Sequence, residues 1–271
     1  LVVTSCAPSK KNYIIATGGT SGTYYPFGGA LANIWNTKIE NMNVTAQSTG
    51  ASAENLRLIS NGDAEFATVQ NDVMDYAYKG TDMFAGKPLP NLSVMGTMYE
   101  EVIQIAARKD SGIKTIDDLR GKRVSIGDAG SGVEFNAKQI LEGYGITFDD
   151  IKKNNLSFKE SGEGLQNGTL DACFVTAGVP NAALQELAFT NGLILIPVDE
   201  DHAYDICKKY GFYTQTVIPG GTYKGTDDNT PALAIKATLA VSSKLDEATV
   251  YEMTKSLFEN LDELGRAHAK G

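Results

Sequence analysis

The chain has 271 residues, 42% of them hydrophobic, enough to bury a core in one large domain or in two lobes of ordinary size. Its formal net charge of −9 leaves no concentrated basic surface, which excludes nucleic acid as the natural partner. No apolar run approaches the roughly 20 residues that a membrane-spanning helix needs, so the mature chain is not expected to cross a bilayer.

In chain order, Leu1-Val2-Val3 reads as the end of an apolar signal segment, and Val3-Thr4-Ser5-Cys6 resembles a bacterial lipobox. Residues 1–12 are therefore expected to be a lipobox remnant and tether, with Cys6 lipidated. The protein would then sit outside the cytoplasm, at the outer face of the cytoplasmic membrane or in the periplasm. An ordinary first strand with a stray cysteine is the plainer alternative. Cys173 and Cys207 are the other thiols, able to pair in an oxidising compartment or to stay free.

From residue 13 onward short apolar runs alternate with helical periodicities, the pattern of mostly parallel sheets wrapped by helices. Strands are expected at 13–17, 43–47 and 65–69. Leu31, Ile34 and Trp35 share one face of a first helix, and Ala53, Leu56 and Ile59 one face of a second, which Asn61-Gly62-Asp63 closes. Two extended runs, 92–98 and 102–107, follow with Tyr99-Glu100-Glu101 between them, as at a crossing. The short helix, turn and strand logic then restarts at Val124, with further strands expected at 156–159, 172–176 and 193–197. The run 232–241 would return the chain to the first sheet, and a helical tail over 245–269 would pack on it. This predicts an α/β, two-lobed fold of two mostly parallel sheets joined by extended hinge crossings. Lobe one would comprise 13–104 and 235–271, and lobe two 105–234.

The glycine-rich and hydroxyl-rich loops fall where strands hand over to helices, the edge at which open α/β folds bind ligands. Thr20, Ser21, Gly22, Thr23 and Tyr24 lie in the first, and Ser48, Thr49, Gly50 and Ser52 in the second. Gln70 and Asp72 follow the third strand. In the second lobe, Asp128, Ala129, Gly130, Ser131 and Gly132 open a helix marked by Val133, Ala137, Ile140 and Leu141, and Thr176, Gly178 and Val179 close a later strand. These are the expected ligand-binding residues, facing one another across a cleft. The first loop lacks the lysine of a phosphate-binding P-loop and the glycine spacing of a dinucleotide fingerprint. Free amides at helix starts suit a carboxylate, with the dipole contributing roughly 0.3–1 kcal/mol when exposed.

None of these loops carries an arginine or lysine, so amides and hydroxyls would hold the carboxylate. Arg57, Arg108, Arg120 and Arg123 read as solvated charge. Glu100 and Glu101 offer a partner for a ligand amine, their plainer reading being hinge charge exposed to solvent. His202 and His268 have no nucleophile placed beside them, and His202 with Cys207 does not make a metal set, so no catalytic residue and no metal are expected.

The first glycine loop, Ser48-Thr49-Gly50-Ala51-Ser52-Ala53-Glu54-Asn55 and Val69-Gln70-Asn71-Asp72-Val73 together resemble the TAXI class of substrate-binding proteins that serve TRAP transporters. Asp117-Asp118-Leu119-Arg120-Gly121-Lys122-Arg123-Val124-Ser125-Ile126-Gly127 is similar to a stretch shared more widely by periplasmic binding proteins, and Ile218-Pro219-Gly220-Gly221-Thr222-Tyr223 is narrower. The resemblance implies a type II periplasmic-binding-protein fold, no cofactor and no enzyme activity. It implies delivery of a small carboxylate-bearing ligand, glutamate, a related amino acid or a dicarboxylate, to the membrane subunits of an ion-driven transporter. An enzyme or a sensor domain on the same two-lobed fold is the alternative.

Overall fold

A computed structural model of the chain describes residues 10–270, and the lipobox-like motif with Cys6 lies outside the described residues. The first lobe opens with β1 (Lys11–Ala16), α1 (Tyr24–Lys38), β2 (Met42–Gln47), α2 (Ser52–Asn61), β3 (Phe66–Gln70) and α3 (Asn71–Lys79). β1 is flanked by β2 and β3, parallel to both. Parallel neighbours need crossover connections, and α1 and α2 supply them. Tyr13, Ile15 and Phe66 point to one face of this sheet, against Leu31, Ile34 and Trp35 of α1. Ala16, Ala67 and Val69 point to the other, against Leu56 and Ile59 of α2 and Val73 of α3. α2 ends at Gly62, whose left-handed φ of 88° is the stop that Asn61-Gly62 predicts.

The chain leaves this lobe on β4 (Leu92–Arg108), a single strand of 17 residues. Tyr99-Glu100-Glu101 does not interrupt it, because Glu100 and Glu101 pair with Lys236 and Ile235 of the returning strand β10 (Thr230–Ser242). Between the two long strands lie β5 (Arg123–Ser125), α4 (Gly132–Gly143), β6 (Lys152–Asn154), α5 (Phe158–Asn167), β7 (Ala172–Ala177), α6 (Ala182–Thr190), β8 (Leu193–Leu195), α7 (Glu200–Tyr210) and β9 (Thr214–Ile218). β7, β5 and β6 make the parallel part of the second lobe. Val124, Phe174 and Ile140 pack one face of it with Ile206 of α7, and Val175, Leu165 and Leu184 pack the other.

Hydrogen bonding follows the order β2-β1-β3-β10-β4-β7-β5-β6. Each lobe thus has three parallel strands, and the antiparallel pair β4 and β10 is shared between them. The β4–β10 register slips between Lys236 and Thr238 and again between Leu239 and Ala240, which bends the junction. This is the hinge region.

Two expectations need correction. The segment 156–159 is not a strand: Ser157 Oγ accepts from the Glu160 amide while the Glu160 carboxylate accepts from the Ser157 amide, a capping box that starts α5. The strand there is β6, which ends at Asn154, three residues before Ser157. The tail over 245–269 is not one helix but α8 (Glu247–Glu259) and α9 (Leu261–Ala267), broken at Asn260, whose side chain donates to the Ser256 carbonyl. Both pack on lobe one: Met253 and Leu264 join the α1 cluster, and the Trp35 indole N–H donates to the Met253 carbonyl at 3.0 Å.

Candidate functional site

The carboxyl ends of β1 and β3 meet those of β5 and β7 across a cleft whose cavity volume is about 40 Å³. Lobe one lines it with Gly18, Gly19 and the 21–24 turn, with Ala51 and Ser52 at the start of α2, and with Gln70 at the end of β3. Lobe two contributes Asp128, Gly132, Phe158 and Thr176, and Glu101 of β4 forms the back wall. The first turns of α1, α2 and α4 therefore all open on one space, and their unpaired amides give that side a positive character. Ala51 holds a left-handed φ of 73°, a strained conformation for a residue with a Cβ, at the point where α2 begins beside the cavity.

Side chains give the opposite character. No lysine, arginine or histidine is among the lining residues. Glu101 is 2% exposed and accepts at 2.7 Å from the Tyr24 hydroxyl. Burial pushes its carboxyl up to about 8, the Tyr24 bond pulling the other way and the charge of Asp72 adding to the rise. Asp128 is also raised, by burial first and then by Glu160 and Glu54.

The lobes touch on both flanks of the cavity. On one, the Gly178 amide donates to Thr23 Oγ1 at 3.0 Å, and Asn181 Nδ2 donates to the Ser21 carbonyl at 3.1 Å. On the other, Asn136 Nδ2 donates to Asp72 Oδ2 at 3.2 Å, and Gln139 Nε2 to the Tyr76 hydroxyl at 3.0 Å. Asp72 is fully buried there and its carboxyl rises to about 7, desolvation outweighing the bonds from Val73 and Asn136. At the centre Gln70 meets Gly132 so closely that a Cβ on Gly132 would stand 2.0 Å from Gln70 Oε1. The lobes are closed on each other.

Residues 15–271 match the NMT1-like family. The chain belongs to that family. Its fold is that of periplasmic binding proteins. An ancestral arginine-binding protein bound to arginine is similar at 15% identity and a TM-score of 0.59, over 97% of this chain and 99% of that one. A putative L-cystine ABC transporter protein from Listeria monocytogenes shares 13% identity with a TM-score of 0.58, over 95% and 94% of the two chains. The periplasmic aliphatic sulphonate binding protein from Escherichia coli shares 16% with a TM-score of 0.53, over 96% of this chain and 73% of that one.

In this NMT1-like protein the residues singled out in sequence divide between the cavity and its supports. Ser21, Gly22, Thr23, Tyr24, Ser52, Gln70, Asp128, Gly132 and Thr176 line the cavity. Ser48 and Thr49 instead brace the first loop, donating to the carbonyls of Gly18 and Thr17, and the Gly50 amide is taken by Glu54. The Gly130 amide is held by the Glu134 carboxylate at 2.7 Å, and Ser131 Oγ caps α4 by accepting from the Glu134 amide. Thr20 and Ala129 are exposed, Asp72 and Gly178 form lobe contacts, and Val179 packs on Ile218 and Ala232.

Gly18, Gly19, Ala51 and Phe158 line the cavity without having been singled out as site residues, and Glu101, for which solvated hinge charge was the plainer expectation beside a partner for a ligand amine, lines it too. For Glu101 a signal existed: period-two alternation along an unbroken strand puts Tyr99 and Glu101 inward and Glu100 outward, where it pairs with Lys236 at 3.7 Å. For Phe158 the signal was Ser157-x-x-Glu160, which makes the phenylalanine the first helical residue. The arginines are elsewhere: Arg57 lies over the Phe84 ring, and Arg108, Arg120 and Arg123 pair with Asp110, Asp150 and Asp171. His202 stacks on Tyr144 and bonds Asp199, far in chain and fold from the cleft-lining loops. Cys173 and Cys207 are both free thiols. Among the described residues no group of acids, histidines and cysteines is arranged to hold a metal, and no helix is long and apolar enough to cross a membrane.

Proposed function

We propose that the protein is an extracytoplasmic solute-binding receptor, tethered by lipid on Cys6, that closes on a small carboxylate-bearing ligand such as glutamate or a dicarboxylate and delivers it to a TRAP-type transporter. The observation that carries this reading is the closed interlobe cavity, onto which the N-termini of α1, α2 and α4 open with no basic side chain among the lining residues. Amides at helix starts stabilise a carboxylate without a counter-ion. The cleft is lined from both lobes, and the hinge formed by β4 and β10 would let the lobes part to admit a small molecule between them. The TRAP assignment rests on the sequence resemblance, whereas two of the similar folds above belong to arginine and sulphonate binding proteins. Lobe one is taken as 13–104 with 235–271, and lobe two as 105–234. The binding residues are Ser21, Gly22, Thr23, Ser52 and Gly132 for the carboxylate, with Tyr24, Gln70 and Thr176 around the rest of the ligand.

A thermal-shift screen of organic acids and amino acids tests this, because a ligand bound only to the folded state raises stability by mass action. A hit should bind saturably in calorimetry, compact the protein in small-angle scattering and be recovered unchanged. Turnover of the hit would favour the enzyme alternative. Absence of any shift across the screen would remove the receptor reading.

A further inference from the structure

Glu101 stands out among the buried groups because the protein leaves it incompletely partnered. Its Oε2 accepts from the Tyr24 hydroxyl, and among the described residues no hydrogen bond reaches its Oε1. Gln70, lining the same cavity, has its Oε1 buried with no donor. Glu101 thus brings an open acceptor to a cavity whose lining residues include no cation, while the Gln70 acceptor is covered by Gly132 of the opposite lobe. An uncompensated buried carboxylate is costly, and structures retain one where a partner arrives from outside. Glu100, the adjacent residue on the same strand, shows the contrast: it faces out and already has Lys236.

We infer that Glu101, with Tyr24 and Gln70 beside it, is the subsite for a ligand ammonium group, and that the protein therefore selects α-amino acids over dicarboxylates of the same length. This rests on the receptor reading above and narrows its ligand class. A zwitterion satisfies both halves of the cavity: its carboxylate meets the helix N-termini, and its ammonium donates to Glu101. A dicarboxylate would bring a second negative charge toward Glu101 and Asp128. The raised Glu101 carboxyl, about 8, agrees with an acid that has no cationic side chain beside it in the lining. A competing geometry, in which protonated Glu101 donates to a second ligand carboxylate, needs a neutral donor at this position, and Glu101→Gln supplies one.

The experiment is calorimetry on the full chain with L-glutamate and L-glutamine against glutarate and 2-oxoglutarate, which lack the amine. Wild-type protein should bind at least one amine-bearing probe about 100-fold or more tighter than its deaminated counterpart, since unpaired buried charge weakens binding by that order. In Glu101→Gln that preference should collapse to within about tenfold, by loss of the amino-acid affinity. Tyr24→Phe, which keeps the charge and the ring, should weaken the amino acid about tenfold and serves if Glu101→Gln does not fold. Equal affinity of wild type for glutarate and glutamate overturns the inference while leaving the carboxylate receptor standing. Retention of the amino-acid preference by Glu101→Gln also overturns it. Failure of wild type to bind any of these probes or any compound of the wider screen overturns the receptor reading and this inference with it.

Discussion

Gly132→Ala separates closure from folding. Gly132 starts α4 in lobe two and is not among the glycines with positive φ, so alanine fits its backbone and suits a helix start. The three atoms nearest the new methyl group all belong to Gln70 of lobe one, at 2.0 Å for Oε1, 2.3 Å for Cδ and 2.8 Å for Nε2. Gln70 is 3% exposed and has little room to yield. Overpacking of this kind costs about 1–3 kcal/mol. The cost falls on the closed state alone, so ligand affinity should drop by roughly 5–150-fold while the urea midpoint of the ligand-free protein changes little. Calorimetry reads the first quantity and denaturation the second. Gln70→Ala removes the obstructing amide, so adding Gly132→Ala to it should bring little further loss, and the double-mutant cycle measures the coupling directly. Wild-type affinity in Gly132→Ala, or equal losses in both backgrounds, would refute the view that these two residues meet on closure.

The remaining predictions follow the same contacts. Asp72 ionises near 7 in the closed protein against an ordinary 3.8, so the stability linked to its proton is fully present below about 3.8 and is lost as pH rises through about 7. Asp72→Asn removes that loss, and its stability should fall less than wild type's between pH 4 and 8 in urea titrations; parallel curves would count against it. Thr23→Val deletes the acceptor for the Gly178 amide across the cleft and should weaken ligand binding about fivefold, with circular dichroism unchanged. Asn181→Ala removes both the cap of α6, whose Oδ1 accepts from Ala183 and Leu184, and the bond to the Ser21 carbonyl. It should lower unfolding stability by about 0.5–2 kcal/mol, the usual range for a lost cap, and affinity as well.

What the sequence made legible is what local periodicity and turn chemistry encode. The apolar spacing of Leu31, Ile34 and Trp35 is answered by α1 on its sheet, and Asn61-Gly62 by a left-handed cap. The glycine loops were legible as the edge that lines the cleft because strand-to-helix handovers in a parallel sheet all face the same way. What local pattern cannot encode is the partner that each loop atom finds. Gly130 and Gly132 look alike in sequence, yet one gives its amide to Glu134 and the other is pressed against Gln70 of the opposite lobe.

The same limit explains Glu101. Beside Glu100 it reads as one of a charged pair at a turn, and only the unbroken course of β4, fixed by pairing with β10 more than 130 positions later, decides which of the two is buried. A strand pairing so distant in sequence leaves no mark in a short window. Its consequence is chemical: an acid placed by strand alternation at the wall of a cavity without a lining cation gives a generic two-lobed cleft an acid side and an amide side. If the lobes close on a ligand as proposed, the polarity of that cavity sets the kind of molecule on which closure is favourable.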